Sequence, residues 1–267
     1  MNNALTSQLL TVISDCSHGE VIAFDTIGST NDYAMRRAKE GVSDISVYYA
    51  ADQTNGRGRM NRSWAATPGS SLAFSIVIQP SSEELPFLNL FSPLTGISVT
   101  KALQKRYGIR AEIKWPNDIL LHKRKICGIL CEMNWEGDTL SGLILGIGIN
   151  LLKDSVPKLS GMVFPPSSIE TETGIQSKPF LLIHDILKAI QEYRPLLGTD
   201  TFLKTWEKQL AFLNETVKLV APDGTQQIVT VRGIDSEGSL LVEANNRGMQ
   251  HIPAGELSLR PINTNEP

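Results

Sequence analysis

Arginine and glycine alternate in one short segment of the chain, Gln53-Thr-Asn-Gly-Arg-Gly-Arg-Met-Asn-Arg-Ser-Trp64. Glycine lacks a Cβ atom, so a loop of this composition lets backbone N–H groups approach an anion closely. The arginines add permanent charge and forked donors that match the oxygens of carboxylates and phosphates. Taken alone, the segment is equally compatible with a flexible basic turn on the surface.

Three further segments carry residue types that could complete an anion-binding site. Lys114-Trp-Pro-Asn-Asp118 places a lysine at the end of a predicted strand, a rigid position for a charge, although it could also be a β-turn with a solvated lysine. Ser29-Thr-Asn31 lies at a strand-to-helix junction, where its side chains could cap the helix, contact a ligand or do both. Two predicted strands carry glycine, Gly128-Ile-Leu-Cys-Glu132 and Gly146-Ile-Gly-Ile-Asn150. Such glycines indicate close approach of a ligand or tight packing, and the second strand lacks the third glycine of a dinucleotide fingerprint.

The composition restricts the class of protein. The chain has 267 residues, 41% of them hydrophobic and 20% charged, which is typical of a soluble globular protein. Its net charge of −3 disfavours non-specific binding to DNA or to an acidic membrane, so an anionic ligand must be held by a local basic cluster. The first residues lack the basic and apolar regions of a signal peptide. We therefore expect a cytoplasmic protein with no DNA or membrane partner.

The cysteines do not indicate a disulfide framework or a metal centre. Cys16, Cys127 and Cys131 form an odd set, which favours a reducing compartment. Cys127 and Cys131 are flanked by apolar residues, and the four histidines are scattered along the chain. We interpret both as small core residues and predict no fixed metal site.

The hydrophobic periodicity predicts the elements that must position these segments. Helices are expected at residues 4–13, 30–39, 87–107, 179–197 and about 202–210. Strands are expected at residues 21–24, 46–51, 72–78, 111–114, 119–121, 125–134 and 140–151. Ser29 and Asp32 are typical of a capping box, and Gly41 and Gly108 of helix ends. Tight connections at 122–124 and 136–138 predict antiparallel hairpins, and residues 153–178 a surface loop.

The last part of the chain has a different character. From about Glu215, short β-rich pieces, among them TVKLV, QIVTVRGI, SLLVEA and MQHIPA, alternate with turns at Asp223-Gly224 and Glu237-Gly238. Five short strands in this length predict a small barrel-like module. We expect an α+β protein with a mixed, largely antiparallel sheet flanked by helices in a domain at 1–213, and a small β-barrel domain at 214–267.

The motifs in this order resemble those of the biotin–protein ligase family. The resemblance spans roughly residues 21–152, and the small C-terminal module fits the family's usual end. It implies a class II synthetase-like catalytic domain and an SH3-like C-terminal barrel. It also implies an ATP-dependent, AMP-forming ligase that makes biotinyl-5'-AMP and transfers biotin to a lysine of a biotin carboxyl carrier protein. ATP and Mg²⁺ are the expected cofactors.

The resemblance also implies roles for individual residues. Those expected to bind biotin are Ser29, Thr30, Asn31, Gln53, Gly56, Arg57, Gly58, Arg59, Lys114 and Gly128. Those expected at the nucleotide are Arg59, Arg62, Trp64, Asn117 and Asn150. Those expected to act in catalysis are Lys114, Arg59, Arg57 and Asp118. Some relatives continue the loop with another arginine and a glycine, where this chain has Met60-Asn61, so retention of the adenylate is open to question.

Two alternative functions remain at this point. One is a lipoate ligase or octanoyl transferase, although the glycine-rich motif and lysine context of those enzymes are missing. The other is a biotin-sensing repressor. About 20 residues precede the first predicted strand, too few for a helix-turn-helix domain, so we expect a single-function ligase. The sequence is compatible with a monomer or a homodimer.

Overall fold

The structure is a computed structural model. It describes residues 1–60, 62–156, 166–221, 223–244, 248–255 and 258–261. Within these residues the large sheet has seven strands: β1 (Val21–Ile27), β2 (Ser46–Gln53), β3 (Ser71–Ile78), β4 (Glu112–Lys114), β5 (Asp118–Leu121), β6 (Arg124–Glu136) and β7 (Thr139–Asn150). Their order is β1-β2-β3-β7-β6-β5-β4. Only the β1–β2 pairing is parallel in this described sheet, so the predicted mixed, largely antiparallel sheet is confirmed.

Helices cover both faces of the large sheet. They are α1 (Asn3–Ile13), α2 (Thr30–Lys39), α3 (Phe91–Tyr107), α4 (Ile169–Thr173), α5 (Pro179–Tyr193) and α6 (Asp200–Glu207). α2 packs on one face against β2, β3 and β7, and α1, α3 and α5 pack together on the other. Side chains alternate between the faces, so Val47 joins the larger core and Tyr48 the core under α2. β3 is buried along its whole length because it has helices on both sides.

Local signals explain the helix ends, with one correction. The Ser29 Oγ atom accepts a hydrogen bond from Asp32 N, as expected of an N-cap, and Gly41 adopts the left-handed φ of +78° after α2. The helix predicted from residue 87 begins later. A 3-10 helix occupies Leu85–Leu90, and Phe87 departs from helical geometry with φ −112° and ψ 17°, so α3 starts at Phe91.

The segment predicted as a surface loop at 153–178 contains helical and buried residues. A 3-10 helix at Lys153–Ser155 and α4 both fall within it. Ser168 is fully buried and caps α4, because its Oγ atom accepts from Thr171 N at 3.1 Å. Residues 157–165 of the same segment lie outside the described residues.

A separate small sheet follows α6. Among the described residues it has five strands, β8 (Thr216–Val220), β9 (Gln226–Ile234), β10 (Leu240–Ala244), β11 (Gly248–Ile252) and β12 (Ser258–Pro261). The pairing order is β11-β10-β9-β8-β12. Gly238 has a φ of +82° in one of the two predicted turns. That turn contacts the larger unit, because Trp115 Nε1 donates to Gly238 O at 3.1 Å.

Across the part of the chain that the structure describes, no helix combines the length and the apolar character needed to cross a bilayer.

Candidate functional site

A pocket of about 590 Å³ opens over the centre of the large sheet. It is lined by nearly all of the predicted ligand residues: Ser29, Thr30, Asn31, Gln53, Arg57, Gly58, Arg59, Arg62, Trp64, Lys114, Asn117, Asp118, Gly128 and Asn150. The exception is Gly56, which is buried beneath the loop rather than facing the pocket. A Cβ atom on Gly56 would lie 2.4 Å from Trp64 O, so this glycine serves the packing of the loop.

The segment from Gly56 to Trp64 forms a short hairpin over the pocket. Trp64 N donates to Gly56 O at 2.9 Å, and Gly58 N donates to Arg62 O at 2.7 Å. Arg57 and Ser63 are paired in antiparallel fashion between these bonds. The two arms therefore present their side chains to the pocket in a fixed order. Asn61, part of the departure from the family pattern, lies outside the described residues.

Two lysines and one aspartate form the cationic end of the pocket. Asp118 Oδ1 lies 2.6 Å from Lys125 Nζ, and Asp118 Oδ2 lies 3.2 Å from Lys114 Nζ. Burial lowers the pKa of Lys114, and the charge of Asp118 opposes this only in part. Burial alone would raise the pKa of Asp118, but the two lysines outweigh it and hold that pKa below its ordinary value. The three groups carry one net positive charge at neutral pH.

Arg59 adds a further cation to the same end. Its guanidinium donates to Asn117 Oδ1 at 3.1 Å and to Gly255 O at 2.6 Å. Gly255 belongs to the segment between β11 and β12, so the small sheet contributes to this wall. Both acceptors are neutral oxygens, and burial lowers the pKa of Arg59. These contacts orient the guanidinium without neutralising it.

Arg57 has different surroundings from Arg59. It forms a bidentate pair with Glu132, with Nη1–Oε1 and Nη2–Oε2 distances of 2.8 Å each, and its Nη2 atom lies 2.6 Å from Asp32 Oδ1. Burial would lower the pKa of Arg57, but the hydrogen bonds and charges of the carboxylates raise it. Arg57 lies at the rim of the pocket, and its charge is balanced there by acidic side chains of the protein.

A connected set of polar side chains forms the opposite end of the pocket. Gln53 Oε1 accepts from Thr30 N at 2.7 Å and from Thr30 Oγ1 at 3.1 Å. Ser75 Oγ lies 2.8 Å from Thr30 Oγ1 and 2.6 Å from Asn31 Oδ1. Asn31 Nδ2 then donates to Glu132 Oε2 at 2.8 Å. This end offers neutral donors and acceptors held in fixed orientations.

The glycines of the central strands make room for these side chains. A Cβ atom on Gly146 would lie 2.2 Å from Asn31 Oδ1, and one on Gly148 would lie 2.7 Å from the indole of Trp64. One on Gly128 would lie 3.3 Å from Lys125 Nζ. The sequence left two explanations for these glycines, close approach of a ligand or tight packing. At Gly146 and Gly148 the structure shows tight packing against other side chains. The Asn150 side chain is held by a hydrogen bond in which Nδ2 donates to Ser167 O at 2.9 Å.

Lys125, Ser75 and Glu132 are site residues that the sequence did not single out. Ser75 is the one polar residue in the run Leu72–Ile78, and that interruption was an available signal. Glu132 ended a motif that was noted only for its glycine. Lys125 follows a predicted hairpin turn and carried no distinguishing local pattern. Ser75 and Glu132 join the site through partners distant in sequence, and Lys125 joins it through Asp118 across a hairpin.

Together these features define the ligand that the pocket fits. The strands β3, β6 and β7 line the pocket at Phe74, Ile129 and Ile147, and the apolar indole of Trp64 lies against β7 at Gly148. A molecule with a polar uncharged head, an apolar body and an anionic tail matches the order of these surfaces along the pocket. The excess cations beside the tail suit a second anion next to the first.

A second cluster lies away from the pocket. Ligand atoms of Asp15, Cys16 and His184 come within 4.8 Å of one another. The sequence predicted no fixed metal site. Lys188 Nζ lies 3.0 Å from Asp15 Oδ2, so an ammonium group already balances that carboxylate. Burial raises the pKa of the Cys16 thiol to about 12, which keeps it protonated.

Two sequence families match the chain. Residues 23–150 match the Biotin/lipoate A/B protein ligase family, and residues 212–260 match the Biotin protein ligase C terminal domain. The first match contains the loop, the lysine motif and both glycine-bearing strands. The second contains most of the small sheet, including the turn bonded to Trp115.

Individual proteins are similar over most of the chain. The biotin–[acetyl-CoA-carboxylase] ligase of Paracoccus denitrificans is 32% identical, over 86% of this chain and 96% of that protein. The bifunctional ligase/repressor BirA of Bacillus subtilis is 30% identical, over 90% of this chain and 74% of that protein. A solved biotin protein ligase from Aquifex aeolicus, in complex with biotin and ATP, superposes with a TM-score of 0.76 and 29% identity, over 90% of this chain and 98% of that one.

Proposed function

Because the chain belongs to the biotin–protein ligase family, we propose that its pocket binds biotin and ATP side by side and joins them as biotinyl-5'-AMP. The chain is an ATP-dependent ligase of this family. The single observation that best supports the proposed arrangement is the pocket with a neutral polar end and a cationic end. The biotin ring fits the end at Thr30, Asn31 and Gln53, and the carboxylate fits the end at Lys114 and Arg59.

The first chemical step needs charge balance more than proton transfer. The biotin carboxylate attacks the α-phosphorus of ATP, the bond to the β-phosphate oxygen breaks, and pyrophosphate leaves. A carboxylate with a pKa of about 4 is already ionised, so no general base is required. Two unit charges at about 4 Å repel by about 4 kcal/mol at an effective dielectric constant of about 20. Lys114, Lys125 and Arg59 offset that repulsion.

Mg²⁺ would accompany the phosphates of ATP. Asp118 is the carboxylate among these cations, and both of its oxygens are already bound by lysines. It therefore fits the role of a counter-charge better than that of a metal ligand. When bound with ATP, the ion would help to neutralise the negative charge of the phosphates, while Asp118 would balance the charge of Lys114 and Lys125.

In the second step, a lysine of a biotin carboxyl carrier protein attacks the mixed anhydride. The new amide bond forms, AMP leaves with the electron pair of the broken bond, and the lysine loses a proton. The ordinary pKa of a lysine, about 10.4, means that a base or a depressed pKa must help. Asp118 is a candidate group, either as that base or by orienting the amine. Its low pKa and its two lysine partners favour the orienting role.

The central test is biotin-dependent exchange of labelled pyrophosphate into ATP. The wild-type chain is expected to catalyse exchange with biotin and not with lipoate or octanoate, which separates it from the lipoate ligase and octanoyl transferase alternatives. Arg59→Ala and Lys114→Ala are expected to lose exchange because each removes a cation from the cationic end. Exposed Lys153→Ala is a matched loss of one positive charge elsewhere and should retain it.

Binding of biotin should protect the loop at residues 54–64 against protease, because the loop covers the pocket and has few apolar anchors. We expect tryptic cleavage after Arg59 and Arg62 to slow when biotin or biotinyl-AMP is present. Equal cleavage with and without ligand would contradict a covering role. Closure would also keep water from the reactive anhydride.

Several features of the family extend to this chain as proposals. We propose a catalytic domain at 1–213, an SH3-like C-terminal domain at 214–267, and a contribution of the latter to ATP or carrier binding through the wall at Gly255. A single-function ligase that does not bind DNA also remains a prediction. Saturable, sequence-specific binding of the chain to operator DNA would overturn it and favour the repressor alternative.

A further inference from the structure

A continuous series of close polar contacts joins the neutral polar end of the pocket to the covering loop. It runs from Gln53 through Thr30, Ser75 and Asn31 to Glu132, and Glu132 then binds Arg57. Within this series Glu132 touches both parts, since its Oε2 atom contacts Asn31 and Arg57. We infer that Glu132 is a positioning residue that fixes the loop through Arg57, and that Arg57 secures the loop instead of binding the ligand anion. This inference rests on the proposed function.

The charges around Arg57 support its part in this assignment. Three carboxylate oxygens, two from Glu132 and one from Asp32, lie within 2.8 Å of its guanidinium nitrogens. Two acidic groups and one arginine leave this cluster with a net charge of −1. A ligand anion gains little from a cation that is already overbalanced. Arg59, two residues further on, contacts only neutral oxygens in its described hydrogen bonds and keeps its charge for the anion.

The packing around Asn31 supports the part of Glu132. Asn31 is 5% exposed, and its two amide ends are held by Ser75 and by Glu132. Gly146 supplies the space for this side chain, and no Cβ would fit there. Asn31 therefore has little freedom to reorient. Its hydrogen bond to Glu132 Oε2 holds the Glu132 carboxylate in a fixed position. Glu132 in turn holds Arg57 through a bidentate pair, because two parallel hydrogen bonds restrict rotation more than one does.

The consequence for the reaction follows from chain geometry. Arg57 and Arg59 are two residues apart, at most about 7 Å along an extended chain, so fixing one limits the position of the other. Misplacing a catalytic group by about 1 Å can cost about 100-fold in rate. Releasing Arg57 should therefore loosen the cover over biotin and its adenylate first, and disturb the anion contacts of Arg59 second.

The test compares Arg57→Gln, Glu132→Gln and their double variant with Arg59→Gln. Each of the first two should raise the KM for biotin and speed release of biotinyl-AMP by about tenfold or more, with a smaller loss of kcat in pyrophosphate exchange. The double variant should be no worse than Arg57→Gln, because that change already removes the contact between Arg57 and Glu132. Tryptic cleavage after Arg59 should accelerate in all three. Arg59→Gln should instead lower kcat, because it removes charge from the cationic end.

Glu136→Gln is the matched control, since it makes the same change at an exposed position on the same strand. Arg57→Gln alone decides the question if Glu132→Gln folds poorly, because Arg57 is exposed at the rim. A kcat loss for Arg57→Gln like that of Arg59→Gln, with unchanged loop cleavage, would overturn the inference. Additive effects of the two single changes would also overturn it. Failure of the proposed function is distinguishable, because the wild-type chain would then show no biotin-dependent exchange.

Discussion

Replacing Asp118 with asparagine removes the counter-charge of the cationic end while keeping its shape. Asp118 lies 2.6 Å from Lys125 Nζ and 3.2 Å from Lys114 Nζ. At an effective dielectric constant of about 20, these attractions amount to about 6 and about 5 kcal/mol. The Lys114 and Asp118 side chains are only 11% and 15% exposed, so solvent screens their attraction weakly. The variant leaves two ammonium groups facing each other without that compensation.

The direction of the pH effect follows from the pKa of Lys114. Burial already lowers this pKa, and Asp118 is the first group that opposes the shift. Without Asp118 the pKa of Lys114 falls further, so the ammonium is lost at a lower pH than in the wild type. In the mechanism proposed above, adenylation requires that positive charge. We therefore expect the alkaline limb of the adenylation rate in Asp118→Asn to move to lower pH, with the smallest loss of activity at the acidic end of the range.

The assay is biotin-dependent pyrophosphate exchange measured from about pH 6 to about pH 10, beside single-turnover transfer from preformed biotinyl-AMP to the carrier protein. Glu112→Gln is the control, because it removes an acidic charge from neighbouring β4 that lies 3.8 Å from the exposed Lys123. An unshifted alkaline limb with a selective loss of transfer would refute the counter-charge reasoning. That result would favour Asp118 as the base that deprotonates the acceptor lysine.

Three other changes test separate parts of the structure. Gly146→Ala would place a Cβ atom 2.2 Å from Asn31 Oδ1. Displacing this buried amide should lower the free energy of unfolding by about 1–3 kcal/mol and weaken biotin binding, which calorimetry would measure. Trp115→Phe removes the hydrogen bond to Gly238 O and should lower the free energy of unfolding by about 1 kcal/mol or more, measured by denaturant titration, with faster proteolysis of the C-terminal segment. Arg59→Ala should reduce the kcat of exchange by about 100-fold or more, while exchange at undiminished kcat would contradict its role at the anion.

The fold was largely readable from local patterns. The strands were found from runs of β-branched and aromatic residues, and α2 from its capping serine and terminal glycine. The start of α3 was not predicted correctly. Leu85–Leu90 is equally compatible with an α-helix or a 3-10 helix, and the irregular geometry at Phe87 has no local signal in the sequence. Ser167 and Ser168 were assigned to a surface loop because their composition is polar, although their hydrogen bonds allow them to be buried.

The motifs contained most of the residues that line the pocket, but they predicted only part of how these residues are arranged. The motifs identified residues that converge on one pocket because each motif lies on a strand of the same sheet or directly beside one. The pairing of Arg57 with Glu132 joins positions 75 residues apart, and composition cannot distinguish it from Arg59 two residues away. Both arginines were assigned to the ligand for that reason. Lys125 was missed because its importance depends on reaching Asp118 across a hairpin.

The position of the pocket explains why a rigid and a moving part can coexist in it. Its floor lies on β3, β6 and β7, the middle strands of the large sheet, where neighbours on both sides fix the backbone. The glycines on β7 let Asn31 and Trp64 lie directly against that backbone, so the floor and the last residue of the loop hairpin are packed together. In the described residues of the loop, ionic and polar contacts hold the arm that carries Arg57 and Arg59. Polar contacts with exposed groups are easier to break than buried packing. Opening should therefore begin at this arm. Glu132 lies on β6 in the floor of the pocket and contacts the arm through Arg57.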